Sequence, residues 1–332
     1  MTVLTSKHAL GHLYQCASDA VLGYRSLRYR SLRYLVLAGY LVLSGGLSSG
    51  AAAALEPARV EEGTTPTTLV LGGDVAEIVA RLGEADTVIG RDDTVTFPPA
   101  LARLPSIGYL RRLSGESVLS LHPQRVIASA SAGPSEVLAQ IEASGVELIT
   151  LQSQPRLAEL DAKVQEIAQA LDREAEGDAL VAELDADQEQ LRSLSPLTGL
   201  RIMFMLHHSG MTPMVGGQDT IAQDIIDALG ATNAFATLQG YKSVSAEGLI
   251  SAAPDVVILS HDGLDALGGN EALWQLPGLA MTPAGQSHHF VAVDEVALMG
   301  MGPRTPRALI KLHHALSPLA RNVSTENMQA AP

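Results

Sequence analysis

The sequence predicts an α/β fold of two Rossmann-like lobes, each a parallel sheet flanked by helices, joined by a single long connecting helix. Three observations lead there. Short apolar strands alternate with helical patterns, a sixteen-residue element occurs twice, and a stretch between its copies, 156–194, is nearly free of glycine and proline. At 332 residues, 46% of them apolar, the chain is long enough for two lobes with their own cores.

The first 54 residues stand apart from that body. Lys7, Arg25, Arg28, Arg30 and Arg33 are basic, Asp19 is the only acid, and an apolar stretch from Leu35 ends in Ala51, Ala52, Ala53 and Ala54. Basic region, apolar core and small residues follow each other in the order of a secretory signal with an A-x-A cleavage site, so residues 1–54 are expected to be removed and the product to be periplasmic. A retained anchor is the alternative, but the uninterrupted apolar core is shorter than the ~20 residues that span a bilayer. Removing five of the 22 basic and one of the 36 acidic residues leaves a net charge of about −18. So acidic a body argues against nucleic acid and anionic membrane surfaces as partners. The one cysteine, Cys16, falls in the leader, which rules out a disulfide framework or thiolate metal site in the rest.

In chain order, the strand-like runs are "TLVLGG", "TVIGR", "RVIAS", "VELITL", "RIMFML", "VVILS" and "HFVAV". Helical patterns such as "VAEIVARLG" and "TIAQDIIDALG" lie among them, which is the alternation of a parallel α/β sheet. The duplicated element is "SGESVLSLHPQRVIAS" at 114–129 and "SAEGLISAAPDVVILS" at 245–260, with seven matches in sixteen at an offset of 131. Each copy reads as a serine N-cap, a glutamate in the first helical turn, a proline that ends the helix, and a strand. Each is preceded by Gly-Tyr: Gly108-Tyr109 and Gly240-Tyr241. Between the copies, Leu157, Leu160, Val164, Ile167 and Leu171 recur at helical spacing, and a second amphipathic segment runs from Glu174 to Leu194. The expected division is a first lobe at 55–155, a connecting helical segment at 156–195, a second lobe at 196–320 and a tail at 321–332.

Two lobes and one connecting helix behind a secretion signal resemble the helical-backbone periplasmic binding proteins of ABC importers for metal chelates, namely siderophores, cobalamin and haem. The finer resemblance is to the haem-binding branch. It is carried by "GGDVAEIVARLG", "GRDDTVTFPPALARLPSIGYLRRLSGESVLSLHPQRVIAS", "SAGPSEVLAQIEASGV", "GGQDTIAQDIIDALGATNAF", "GYKSVSAEGLISAAPDVVILS" and "MGMGPRTPRAL", spread from about 69 to 310. The "GY-x-R" loop before "LS-x-E" is the specific part. The resemblance implies a binding protein, not an enzyme, that carries haem b (hemin) to a permease and its ATPase subunit, expected as a monomer with no membrane insertion after cleavage. A siderophore or cobalamin carrier is the nearest alternative. A secreted metal-dependent enzyme is a more distant one, since H-E-x-x-H is missing and the G-x-S-x-G at 46–50 and the one cysteine both fall in the leader.

Five of the seven tyrosines lie in the leader, so Tyr109 and Tyr241 are the only ones left for the body. A phenolate is a hard anionic ligand suited to ferric haem. With a free phenol at pKa ~10, a neighbouring cation helps to hold the anion. By resemblance Tyr109 is the iron ligand and Arg111 its partner or a propionate contact, with Arg112 and Arg304 as further propionate candidates. The bland alternative is a tyrosine packed at a loop edge beside solvated arginines. His207 and His208 end the strand "RIMFML", His208 in better register for a second-lobe ligand or contact, and Tyr241 is a further contact there. Met299 and Met301 are read either as cleft lining or as core. By resemblance Glu116 and Glu247 dock the permease, one per lobe, although a helix start explains each equally well. The doublets His288-His289 and His313-His314 read as surface residues, because adjacent side chains seldom converge on one metal.

Overall fold

The computed structural model describes residues 66–329, with side chains to residue 320. The expected leader, 1–54, lies outside the described residues, and among these no helix is long and apolar enough to cross a membrane.

The first lobe runs β1 (Thr68–Leu71), α1 (Gly73–Arg81), β2 (Val88–Arg91), α2 (Pro99–Ala102), α3 (Gly115–Leu119), β3 (Arg125–Ala128), α4 (Ser135–Ala143) and β4 (Glu147–Thr150). Its four strands are all parallel, in the order β2-β1-β3-β4. Strand side chains alternate between faces, and both faces are covered. Val70 and Ile127 pack under α1 with Val75, Ile78 and Val79, while Leu69, Leu71, Val126 and Ala128 pack on the other side against Val118 and Ile141. Val75, Ile78 and Val79 are fully buried, which stabilises α1 by about 1.5–3 kcal/mol per side chain.

Helices α5 (Leu160–Ala170) and α6 (Glu174–Ser193) follow. The expected connecting segment is therefore two helices, broken where Asp172 adopts a left-handed φ of 55°. The long member is α6, whose 20 residues reach about 30 Å. Leu180 and Leu184 sit in the first lobe's core and Leu191 in the second's, so one helix is anchored in both.

The second lobe continues β5 (Arg201–Leu206), β6 (Met214–Gly216), α7 (Ile221–Ala228), β7 (Thr232–Asn233), β8 (Tyr241–Lys242), α8 (Ala246–Ala252), β9 (Val256–Ser260), α9 (His261–Leu267), α10 (Asn270–Trp274), α11 (Pro283–Ser287), β10 (Phe290–Val293), α12 (Glu295–Met299) and α13 (Thr305–Gln329). Here the expectation of a parallel sheet holds only for β10, β9, β5 and the short β7. Strands β6 and β8 extend the sheet antiparallel. The reason is chain length: the link from β5 to β6 is far shorter than the dozen residues that a parallel crossover needs. Ile202, Phe204, Val256 and Ile258 face α7 and α13, while Met203, Met205, Val257 and Leu259 face α8 and α10. Helix α13 runs on through most of the segment expected as a tail.

The duplicated element folds as read in both lobes: α3 then β3, α8 then β9. Ser114 accepts from the Ser117 amide and Ser245 from the Gly248 amide. Both copies leave the helix through a left-handed residue directly before the proline, His122 (φ 50°) and Ala253 (φ 44°). Both upstream glycines, Gly108 (φ 96°) and Gly240 (φ 70°), take a backbone conformation that glycine adopts without strain.

Candidate ligand cleft between the lobes

Ligands of open α/β sheets bind beyond the carboxyl ends of the strands, where strand order reverses. In the first sheet that point lies between β1 and β3, and Gly72, just past β1, and Ser129, just past β3, line a cavity of about 350 Å³. Across it stand Leu206 and His208 from the end of β5, Tyr241 from β8, and Glu295 and Met299 from α12. The duplicated Gly-Tyr elements thus send one tyrosine from each lobe to the same cavity.

The loop carrying Tyr109 is tied down by backbone and carboxylate bonds. The Asp93 amide donates to the Gly108 carbonyl (2.9 Å), the Ile107 amide to Arg91 (2.9 Å) and the Gly133 amide to Leu110 (2.8 Å). Asp92, fully buried, accepts from the Gly72 amide (2.8 Å), the Thr94 amide (2.9 Å) and the Thr94 hydroxyl (3.0 Å). Burial pushes its carboxyl above the ordinary range, and these donors offset only part of that. Gly72, Thr94 and Tyr109 all line the cavity, so Asp92 braces its first-lobe wall.

On this frame Tyr109 is 40% exposed, at the N-cap of the 3₁₀ turn 110–112 that places Arg111 beside the same cavity. Neither the Tyr109 hydroxyl nor the Arg111 guanidinium is hydrogen-bonded or ion-paired among the described residues, so both are available to a ligand. Opposite, His208 Nε2 lies 3.5 Å from the Glu295 carboxylate, a long contact for a half-exposed histidine. The Tyr241 hydroxyl is buried without a hydrogen-bond partner. Desolvation raises its pKa, and the nearby Ala222 amide and Thr220 hydroxyl, outside hydrogen-bond geometry, compensate only in part. Tyr241 is therefore held as a neutral phenol, suited to contact more than to anionic ligation.

Several expected site residues lie elsewhere. Met301 is 1% exposed in the second lobe's core, because the turn into α13 points it inward, while Met299 lines the cavity. Arg304 does not line this cavity, since its guanidinium bonds Glu77 (2.7 Å) and Asp294 (2.8 Å) and lies 4.1 Å over the Phe97 ring. His207 is buried beside the cleft without lining it, its Nδ1 unpartnered, and Arg112 is exposed outside it. Glu116 and Glu247 are exposed in the first turns of α3 and α8, and the Glu247 carboxyl is held below the ordinary range by its own backbone amide and the Ser245 hydroxyl. Of the histidine doublets, His288 is exposed and stacks on Trp274, but His313 is buried, bonded to the Ser195 carbonyl (2.7 Å). No group of three metal-ligating side chains occurs among the described residues. Sequence reasoning passed over Asp74, Asp92 and Glu295. A hint was present in Asp74, an acid directly after "GG" on a helix otherwise apolar at its start.

Comparison with known proteins agrees with this architecture. The family model described as periplasmic binding protein matches residues 69–297. The periplasmic heme-binding protein RhuT from Roseiflexus sp. RS-1, in apo form, is 38% identical with a TM-score of 0.72, covering 77% of this chain and all of its own. The periplasmic heme-binding protein BhuT, in complex with two hemes, is 40% identical with a TM-score of 0.71, covering 76% and 98%. The vitamin B12-binding protein of Vibrio vulnificus (strain CMCP6) is 22% identical over 72% of this chain and 85% of its own. The doubly wound lobes, the helix anchored in both and the match over most of the described residues lead to one assignment: the chain belongs to the periplasmic binding protein family.

Proposed function

We propose that the protein binds haem in the cleft between its lobes, in the periplasm, and delivers it to the permease and ATPase of an ABC importer. The observation that carries this reading is the unpartnered Tyr109 phenol with an unpartnered Arg111 guanidinium on one wall of a cleft, in a chain 38–40% identical to two heme-binding proteins. Tyr109 is the ligand to ferric iron, and Arg111 stabilises the phenolate or pairs with a propionate. His208 and Tyr241 contact the cargo from the second lobe, and Met299 offers it a polarizable apolar surface. Arg112, exposed just outside, is a peripheral propionate contact. Glu116 and Glu247, one on each lobe, meet the permease. The protein acts as a monomer of two lobes, about 55–155 and 196–320, with no catalytic step and no membrane insertion once 1–54 is removed.

A titration followed by absorbance tests this. Hemin is expected to give a saturable, shifted Soret band, and cobalamin or a ferric siderophore no competition at equal concentration. Cobalamin binding with an unshifted hemin spectrum would transfer the assignment to the B12 carriers, in line with the Vibrio relative.

A further inference from the structure

The cleft is one end of a longer seam between the lobes. Asp74, Glu77 and Arg81 are three and four residues apart on α1 and share one face of that helix. Each enters a polar bridge toward the second lobe or the connecting helix. Asp74 pairs with Lys163 of α5 (2.6 Å), and the same ammonium donates to the Met301 carbonyl (2.9 Å). Glu77 receives Arg304, which also reaches Asp294 and lies over Phe97 of the first lobe. Arg81 pairs with Glu183 of α6, which also holds Arg307 of α13 (3.0 Å), and Arg307 binds Asp187 (2.7 Å).

We propose that this charged face of α1 sets the spacing of the two lobes across the cleft, with the buried Asp74–Lys163 pair as its fixed point. The apolar cores stop on either side of the seam: Val75, Ile78 and Val79 belong to one, Met301, Leu309 and Leu312 to the other. Charge-assisted hydrogen bonds constrain distance and angle more narrowly than apolar contact does. Burial falls along the stripe. Lys163 is 1% exposed, Asp74 7% and Glu77 4%, whereas the Arg81 and Glu183 side chains are 43% and 38% exposed. Salt screens the exposed end and leaves the buried end intact. The buried end is also the one at the cleft. Asp74 lines the cavity from the first lobe, Met299 and Gly300 from the second, and the Lys163 bond to Met301 joins the two walls. Gly302 presses so near that a side chain on it would stand 3.2 Å from the Asp74 Cα. These are positioning residues, placing the second-lobe wall against Tyr109.

The test uses the full chain with Cys16→Ser, which leaves it free of cysteine, and spin labels at the exposed sites Ala139→Cys and Ala266→Cys, one per lobe. Inter-label distances are measured by double electron–electron resonance. Wild type should give one narrow distribution that 1 M NaCl does not widen. Asp74→Asn/Lys163→Met removes both charges together, so that neither is left buried alone. It should at least double the width of the distribution and raise the hemin Kd about tenfold (1.4 kcal/mol) without moving the absorption bands. Arg304→Gln, outside the cleft, should widen it in the same direction and decides the matter if the double variant does not fold. Distributions superimposable on wild type in the variants that fold would overturn the proposal. Only the hemin arm rests on the haem reading. A wild type that ignores hemin, with variants that still widen, would refute the cargo and leave the seam standing.

Discussion

Asp92 offers a sharp test of how the cleft wall is built, because its carboxylate is fully buried and both of its oxygens are in use. In Asp92→Asn the amide oxygen can still accept from Gly72, but the amide nitrogen then faces the Thr94 N–H, donor against donor. One unsatisfied buried amide costs about 1–3 kcal/mol. Asp92→Ala leaves two, for about 2–6 kcal/mol, and a body of this size loses roughly 2–4 °C of melting temperature per kcal/mol. The pH dependence carries a second signature. Desolvation raises the folded carboxyl above its unfolded value of about 3.9, so the folded state binds the proton more tightly. The contribution of Asp92 to stability is therefore full below the unfolded value and is lost as pH rises through the folded one. Asparagine has no such dependence, so the gap between wild type and Asp92→Asn should narrow from about pH 4 upward. Urea unfolding at several pH values measures it. A gap that widens with pH, or an alanine variant no less stable than the asparagine one, would show that the carboxylate is not held as described.

Other expectations concern single side chains. Met301→Ala should cost about 2–5 kcal/mol in urea unfolding while leaving the hemin absorption bands in place, because Met301 is core and not cleft. Arg111→Ala removes one charge-assisted partner worth about 1.5–3 kcal/mol, so the hemin Kd should rise roughly 10–100-fold. An unchanged Kd would mean that the guanidinium stays in solvent. His208→Ala should keep the ferric-tyrosinate bands, and their loss would show that the phenolate–iron bond depends on the histidine.

Much of the fold was legible because its signals are local. The run "RIMFML" becomes β5 over the residues read, and the repeated Ser-x-Glu helix starts and prolines punctuate both lobes alike. What the sequence hid is set by tertiary geometry. The antiparallel β6 and β8 are only three and two residues long, too short for a periodic pattern, yet they carry Tyr241 to the cleft. Arg304 was legible as a cation, but its pairing with Glu77, 227 residues away, is not a sequence property. Lys163 likewise reads as a solvated helical charge until α5 packs it against Asp74. At the site, the isolation of Tyr109 and Tyr241 in an aromatic-poor chain was the useful signal. Their meeting in one cavity required the fold.

The most direct measurement is the resonance Raman spectrum of the hemin complex with wild type and with Tyr109→Phe, which removes only the hydroxyl. Wild type should show ferric-phenolate vibrations, and Tyr109→Phe should lose them together with most of its affinity. The same phenolate bands persisting in Tyr109→Phe would place the iron on another residue and contradict the role given to this loop.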